Sequence, residues 1–471
     1  MAGPSFWLDP HGCAKNQVDA EVLISLLEDS GWSMAEGPEG ADLVIVNSCG
    51  FIESAKRESI EALISLKREF PDKRVVMAGC LSERYADDLA LSLEEADGLL
   101  GNGDLSAAPA FLRGILDAGG KKRRPGSPVP ALRPARAAPS SGAARRELLS
   151  LPGSAFLKVA EGCSNRCSYC AIPLIRGDLR SRSASSVAEE AAALERRGIK
   201  EIVLVGQDLG AWGADAADGK RLPELAEAVL GATSSAWIRV LYVHPDHFPE
   251  RILEVARENP RLLPYFDVPF QHASPRVLER MGRRGDPDRN LALVSSIRAA
   301  LPDAVIRSTF LLGFPGEDEE DLDALERFIA EARLDWAGFF AFSREEGTDA
   351  ASMKGCVSKR ESERRAERFR ALQDSISRER MARFAGRELD VLVEERVSEA
   401  TEDEEALSLG RAYLQAPEVD GLTVITGDVP APGSMVRCRI LGAAGIDLDA
   451  RPVEDSRPAE DSHPSESSRG R

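Results

Sequence analysis

Apolar and polar positions along this chain fall into three successive patterns. Up to about residue 120, short apolar runs at 5–8, 42–47 and 74–78 read as strands. Amphipathic stretches at 18–29, 54–69 and 83–91 read as helices between and after them. That alternation predicts an open parallel α/β sheet. From about 153 to 342 six further strands are expected, at 155–160, 201–205, 237–243, 265–268, 305–312 and 338–342. Helical stretches such as 185–197, 248–258, 289–300 and 319–332 separate them. Six β/α units imply an incomplete parallel barrel, whose functional residues belong at the carboxyl ends of its strands.

Residues 358–384 are strongly charged and helical, and form a connection over 358–385. Short strands at 389–394, 411–415, 423–425 and 435–441, punctuated by Gly, Pro and Asp, predict a small all-β barrel over 386–450. The expected organisation is therefore a sheet domain over 1–120, a partial (β/α)6 barrel over 151–357 and this last barrel. Residues 121–150 are rich in Pro, Ala, Ser, Lys and Arg and read as a disordered basic linker. Such a run could touch ribosomal RNA, but a solvated linker explains it more simply. Residues 451–471 read as a disordered tail.

Composition narrows the class. With 43% hydrophobic and 29% charged residues, the chain has the balance of a soluble globular protein. No apolar run approaches the roughly 18 residues of a membrane span, and residues 1–10 lack the pattern of a secretory signal. A cytoplasmic location without membrane association is expected. Eight cysteines in such a chain read as metal or catalytic ligands rather than disulfides. The net charge of −18 argues against default nucleic-acid binding, which draws on Lys and Arg.

Three cysteines share one loop, Glu161-Gly162-Cys163-Ser164-Asn165-Arg166-Cys167-Ser168-Tyr169-Cys170, after the first barrel strand. Three thiolates on a short loop can hold three irons of a four-iron cluster and leave the fourth open. A structural zinc loop would want four ligands, and no fourth Cys or His lies nearby in sequence. Each early strand is also followed by a cysteine: Cys13, Cys49 and Cys80, with Gly12, Gly50 and Gly79 beside them. Ligands of such sheets bind outside the carboxyl ends of the strands. The three thiols should converge there on a second cluster, again with one open iron. Cys356 and Cys438 have no partner spacing and read as structural, Cys438 facing inward from its strand.

The Cys-x-x-x-Cys-x-x-Cys spacing resembles the signature of the radical S-adenosylmethionine (SAM) superfamily. Together with the N-terminal cysteines and the last barrel, which resembles a TRAM domain, it identifies the chain as similar to the methylthiotransferases. The segments Gly12-Cys13-Ala14-Lys15-Asn16-Gln17, Ala171-Ile172-Pro173-Leu174-Ile175-Arg176-Gly177, Val205-Gly206-Gln207-Asp208 and Asp267-Val268-Pro269-Phe270-Gln271-His272-Ala273 resemble the RimO branch. Gly313-Phe314-Pro315-Gly316-Glu317 resembles a shared radical SAM turn. The stretch from Trp7 to His11 departs from the usual apolar strand and Leu-Gly.

The resemblance implies two 4Fe–4S clusters and SAM as cofactors, with the open iron of the loop cluster chelating SAM. It implies a deoxyadenosyl radical that abstracts hydrogen from the β-carbon of an aspartate in small-subunit ribosomal protein S-twelve, which then receives a methylthio group. Cys163, Cys167 and Cys170 would hold the SAM cluster, and Cys13, Cys49 and Cys80 the auxiliary one. Tyr169, Gly206, Gln207, Arg307 and Gly313 are expected to line the SAM pocket. His244 and His272 stand at barrel-strand ends without an assigned catalytic role, and His11 is a neighbour of Cys13. An electron donor such as flavodoxin or ferredoxin and a monomeric enzyme are expected.

Residues 386–450 carry 14 Asp and Glu against 5 Arg and no Lys. A module that reads RNA should be basic. An acidic one favours encounter with a basic ribosomal protein. Two rival readings are a tRNA methylthiotransferase acting on isopentenyladenosine beside the anticodon, and a non-catalytic iron–sulfur carrier or scaffold.

Overall fold

The computed structural model describes residues 3–118, 127–136 and 145–453. The chain divides into two compact units, Met1–Ser377 and Arg378–Arg471.

The first unit opens with a six-stranded, wholly parallel sheet. Its strands are β1 Ser5–Pro10, β2 Ser33–Met34, β3 Leu43–Ser48, β4 Arg74–Gly79, β5 Gly98–Leu100 and β6 Ala131–Leu132. They lie in the order β2-β1-β3-β4-β5-β6. β3 is buried at all six positions, as a strand covered on both faces must be. Helices Ala14–Asp29 and Ala108–Asp117 cover one face, packing Leu23, Ile24, Leu112 and Ile115 on Phe6, Leu8 and Ile45. Leu63, Leu81 and Leu89 close the other face over Val44, Val46 and Met77. The three strands that precede the cysteines are neighbours, so Cys13, Cys49 and Cys80 leave the same edge of the sheet.

The basic segment departs from expectation. Of 121–150, residues 121–126 and 137–144 lie outside the described residues. Within the rest, β6 adds a strand beside β5, and Arg145 is buried in ion pairs with Glu21 and Glu190. Pairing and charge burial anchor these pieces where composition alone suggested a free linker.

A second parallel sheet follows: β7 Ser154–Lys158, then β10 Glu201–Val205, β11 Trp237–Val240, β12 Leu262–Asp267, β13 Val305–Leu312 and β14 Trp336–Ala341. Between β7 and β10 lies a two-residue antiparallel ribbon of β8 Ala160–Glu161 and β9 Arg180–Ser181. Each long strand pairs with its neighbour in sequence, and β7 and β14 remain the two open ends, so the (β/α)6 layout is incomplete as expected. Leu204, Phe266, Ile306, Phe310 and Phe339 pack under helices Ala184–Arg196, Leu222–Ala232, Pro287–Ala300 and Glu319–Ala332.

Helix Lys359–Ala382 leads along the chain to the second unit. There β15 Glu388–Ser398, β16 Leu407–Ala412, β17 Thr423–Thr426, β18 Met435–Ala444 and β19 Asp447–Pro452 close a barrel in the order β15-β16-β17-β19-β18. The strand expected at 411–415 lies at Leu407–Ala412, because the Gln415 side chain ends it by accepting the Ala412 N–H. β19 runs into the segment read as a tail. Residues 454–471 lie outside the described residues. Cys438 is fully buried inside the barrel, whereas Cys356, read as structural, is exposed. Among the described residues no helix is long and apolar enough to cross a membrane.

Candidate functional site: two cysteine triads

The loop triad hangs from the carboxyl end of β7. Gly162 turns the chain at φ +72°, and a Cβ there would lie 2.2 Å from the Asp178 carbonyl oxygen. The loop is tied down along its length. The Cys163 N–H donates to the Gly177 carbonyl and the Cys170 N–H to that of Cys167, both at 3.0 Å. The Ser168 N–H reaches the Met281 carbonyl, and Asn165 Nδ2 donates to Asp208 Oδ2 at 2.8 Å. Cys163, Cys167 and Cys170 lie within one another's electrostatic reach. Loss of hydration, reinforced by the neighbouring thiols, pushes Cys163 up to about 11 and Cys170 up to about 12. Thiols pushed up as Cys163 and Cys170 are give up their protons only against strong compensating positive charge, which the irons of a cluster would supply.

The second triad is assembled from three loops at adjacent strand ends. Cys13 caps helix Ala14–Asp29, Cys49 follows β3, and Cys80 opens helix Cys80–Arg84. The loops touch. A Cβ on Gly12 would lie 3.4 Å from Cys49 Cβ, and one on Gly50 only 2.6 Å from the Cys80 carbonyl oxygen. Asn16 knits them together: Nδ2 donates to the carbonyls of His11 and Ser48, and Oδ1 accepts from Cys80 Sγ at 3.6 Å. Cys80 Sγ accepts from Arg176 at 3.1 Å and from Asn102 at 3.3 Å. These two N–H donors could also serve a thiolate ligand, which would give up the bond from Sγ to Asn16. Burial nonetheless pushes the free Cys80 thiol up to about 12 and raises Cys49. At Cys13, burial acts in the same direction, but the Lys15 and Arg176 cations outweigh it and bring that thiol below its ordinary value.

Among the described residues, no three His, Cys, Asp or Glu surround a point that a single ion would occupy. A cluster has no such requirement, because each cysteine binds a different iron of the cube. Both donor sets, three sulfurs each, fit such a group.

A buried charge network joins the triads. Arg176, the last residue of the short helix Ile172–Arg176 that follows Cys170, donates to Glu161 Oε1 at 2.7 Å and to Asp19 Oδ2 at 2.9 Å. Lys158 donates to Glu161 Oε2 at 2.6 Å and pairs with Asp19. Two cations face two carboxylates, so the seam is neutral. Burial opposes the charge on Glu161, but Arg176 and Lys158 overcome that and hold it down to about 2.

The remaining candidates divide. Gln207, just after β10, has both amide atoms buried without a hydrogen-bond partner, as a ligand-facing side chain would. Gly206 is buried beside it. The Tyr169 hydroxyl accepts from Arg283 at 3.1 Å. Arg307 on β13 pairs with Asp267 at 3.4 Å. The Gly313 N–H, by contrast, is taken by the Glu317 carboxylate at 2.9 Å, and a Cβ there would lie 1.8 Å from Ser362 Oγ. His272 is fully buried against Glu317, which fits a packing role. His244 is pushed down to about 4 by burial and by Arg283, and its Nδ1 accepts the Asp246 N–H. His11 bonds Asp9 at 3.0 Å, beside the second triad. Sequence reasoning missed Asp208, which holds both Asn165 and His247, although it stands in the quoted run Val205-Gly206-Gln207-Asp208. It also missed the roles of Arg176, Asn16 and Asn102 at Cys80.

Three family models match in series: Uncharacterized protein family UPF0004 over residues 5–101, the Radical SAM superfamily over 157–329 and the TRAM domain over 385–453. The fold is similar to that of the radical SAM methyltransferase TsrM from Kitasatospora setae, with a TM-score of 0.51 and 16% identity over 71% of this chain and 72% of that one. A second structure of TsrM, with cobalamin and a [4Fe–4S] cluster bound, matches over 74% of both chains, again with a TM-score of 0.51 and 16% identity. These features define a radical SAM enzyme.

The curated relatives are more specific. The ribosomal protein uS12 methylthiotransferase RimO of Treponema denticola is 41% identical, covering 94% of this chain and 99% of its own length. That of Moorella thermoacetica is 40% identical over 91% and 94%. This chain belongs to the uS12 methylthiotransferase RimO family of radical SAM enzymes. The family transfers methylthio groups and uses SAM and two 4Fe–4S clusters.

Proposed function

We propose that this protein adds a methylthio group to the β-carbon of an aspartate in small-subunit ribosomal protein uS12. The observation that carries this reading is the pair of cysteine triads joined by the Arg176–Glu161–Lys158–Asp19 seam. Replacing an unactivated C–H bond with C–S–CH3 calls for one site that removes hydrogen and another that delivers sulfur to the same carbon. When bound, the two clusters and SAM supply that one-electron and sulfur chemistry.

Cys163, Cys167 and Cys170 hold the SAM cluster, and Cys13, Cys49 and Cys80 hold the other. Asp208 orients the first loop through Asn165. Gln207, Gly206, Tyr169 and Arg307 shape the SAM pocket. Gly313 keeps its N–H on Glu317 and serves the fold around that pocket. The exposed acids of the second unit, among them Glu395, Glu399, Glu402, Asp403 and Glu404, steer a basic ribosomal protein toward the enzyme. Both triads lie in one chain, so a monomer suffices. A ribosomal substrate sets the reaction in the cytoplasm, where flavodoxin or ferredoxin provides the electron.

Mass spectrometry of uS12 and of tRNA from a deletion strain tests the assignment. The expected result is uS12 without its methylthio group and tRNA unchanged. Loss of methylthioadenosine with modified uS12 intact would overturn it.

A further inference from the structure

Several cations stand around the ground between the two triads, and nearly all have partners. Arg176 and Lys158 are held by Asp19 and Glu161. Arg307 is held by Asp267. Arg283 donates to the Tyr169 hydroxyl and to the Pro269 carbonyl at 2.6 Å. Lys15 differs: among the described residues, no carboxylate lies within ion-pairing distance of its ammonium.

Its position is well defined. Lys15 sits in the first turn of helix Ala14–Asp29, two residues beyond Cys13. Its Nζ lies 3.8 Å from the centroid of the Tyr242 ring. Tyr242 follows β11 at the carboxyl rim of the second sheet, next to the end of β12. The ring is placed by a left-handed backbone, φ +61°, unusual for a non-glycine residue. That conformation is locked by the Leu209 N–H on the Tyr242 carbonyl at 2.9 Å and by the Val243 N–H on that of Asp267 at 2.9 Å. The ammonium therefore extends from the strand-end triad onto the rim that carries the loop triad. Cys13 and Asp267 act on this half-buried cation only from beyond contact, so its ammonium, resting on an aromatic face, can still take an anion at ion-pairing distance.

An aspartyl substrate must bring its β-carbon to this same ground, and its carboxylate is bonded directly to that carbon. We propose that Lys15, held over Tyr242, is the anchor for the substrate's side-chain carboxylate and the residue that selects aspartate over asparagine. Fixing the carboxylate fixes the reacting carbon one bond away, and an amide of the same shape offers no charge to pair. This inference rests on the proposed function and adds a specificity-determining residue to it.

The test uses anaerobically reconstituted full-length enzyme and a fluorescent peptide copying the target segment of uS12, with Asp or Asn at the modified position. Wild type is expected to bind the Asp peptide at least about tenfold more tightly than the Asn peptide. Lys15→Met should bring that ratio close to one, and Lys15→Arg should restore most of it. A Lys15→Met enzyme that keeps the wild-type ratio overturns the proposal. So does a wild-type enzyme that does not discriminate. The carboxylate of SAM is the other candidate anion, so SAM affinity is measured alongside: weakened SAM binding in Lys15→Met with the peptide ratio intact assigns the ammonium to SAM and overturns the proposal. Failure of the functional reading is distinct from all of these, because the deletion strain would then keep its methylthiolated uS12.

Discussion

The two triads reach a similar end by opposite routes. Cys163, Cys167 and Cys170 fall within eight consecutive residues, and their loop is shaped by one glycine and held by hydrogen bonds to Gly177, Asp208 and Met281. Cys13, Cys49 and Cys80 are spread over 68 residues and meet only because β1, β3 and β4 are neighbours in register. The first site is a property of a peptide segment; the second is a property of a folded sheet. The second also borrows a donor, since Arg176 reaches Cys80 from the helix beside the first loop. A contiguous motif can be moved or lost as one piece, whereas a distributed one depends on everything that sets strand order.

The sharpest way to break the comparison is at the cysteines themselves. Cys167→Ala should abolish formation of 5′-deoxyadenosine from SAM under dithionite. Cys49→Ala should retain that cleavage and lose methylthio transfer to uS12. Chromatographic assay of both products decides, and equal behaviour of the two variants would remove the division of labour. Next in size is the seam. Arg176→Met leaves Asp19 and Glu161 buried with Lys158 alone and takes a donor from Cys80. It should destabilise the first unit by about 3–5 kcal/mol in urea unfolding of the cluster-free protein. A loss confined to the second cluster, with stability intact, would show that Arg176 serves Cys80 alone.

The smallest effect lies away from both triads. Glu195 accepts the backbone N–H groups of Ser234, Ser235 and Ala236. Burial pulls the other way, but these donors hold its carboxyl down to about 2. A depressed carboxyl contributes stability above its unfolded value near 4.5, and that contribution fades as pH falls toward 2. The stability gap between wild type and Glu195→Gln should therefore be full at neutral pH and shrink through that window in acid titrations. It measures what a hydrogen-bonded carboxylate contributes without touching either triad.

Much of this was legible in the sequence, for physical reasons that differ by site. The loop triad needed only spacing. The strand-end triad needed the rule that functional loops leave parallel sheets at their carboxyl ends, and the apolar runs before Cys13, Cys49 and Cys80 were strong enough to place those ends. The seam was not legible: the Arg176–Cys80 contact spans 96 residues and the Lys158–Asp19 pair 139, and no local pattern reports such pairings. β6 was hidden because two residues, Ala131 and Leu132, are too few to show a period inside a basic run. β19 was not named as a strand and its last two residues, Arg451 and Pro452, were read as tail, because Asp447, Asp449 and Arg451 mask the alternation with Leu448 and Ala450, which are buried in the barrel.

Cys356 and Cys438 end as opposites, one in solvent and the other sealed inside a closed barrel. If the six triad sulfurs bind iron as proposed, Cys356 would be the one thiol among the described residues left open to an alkylating reagent. A fluorophore fixed there would give the enzyme a single address for following its encounters with uS12.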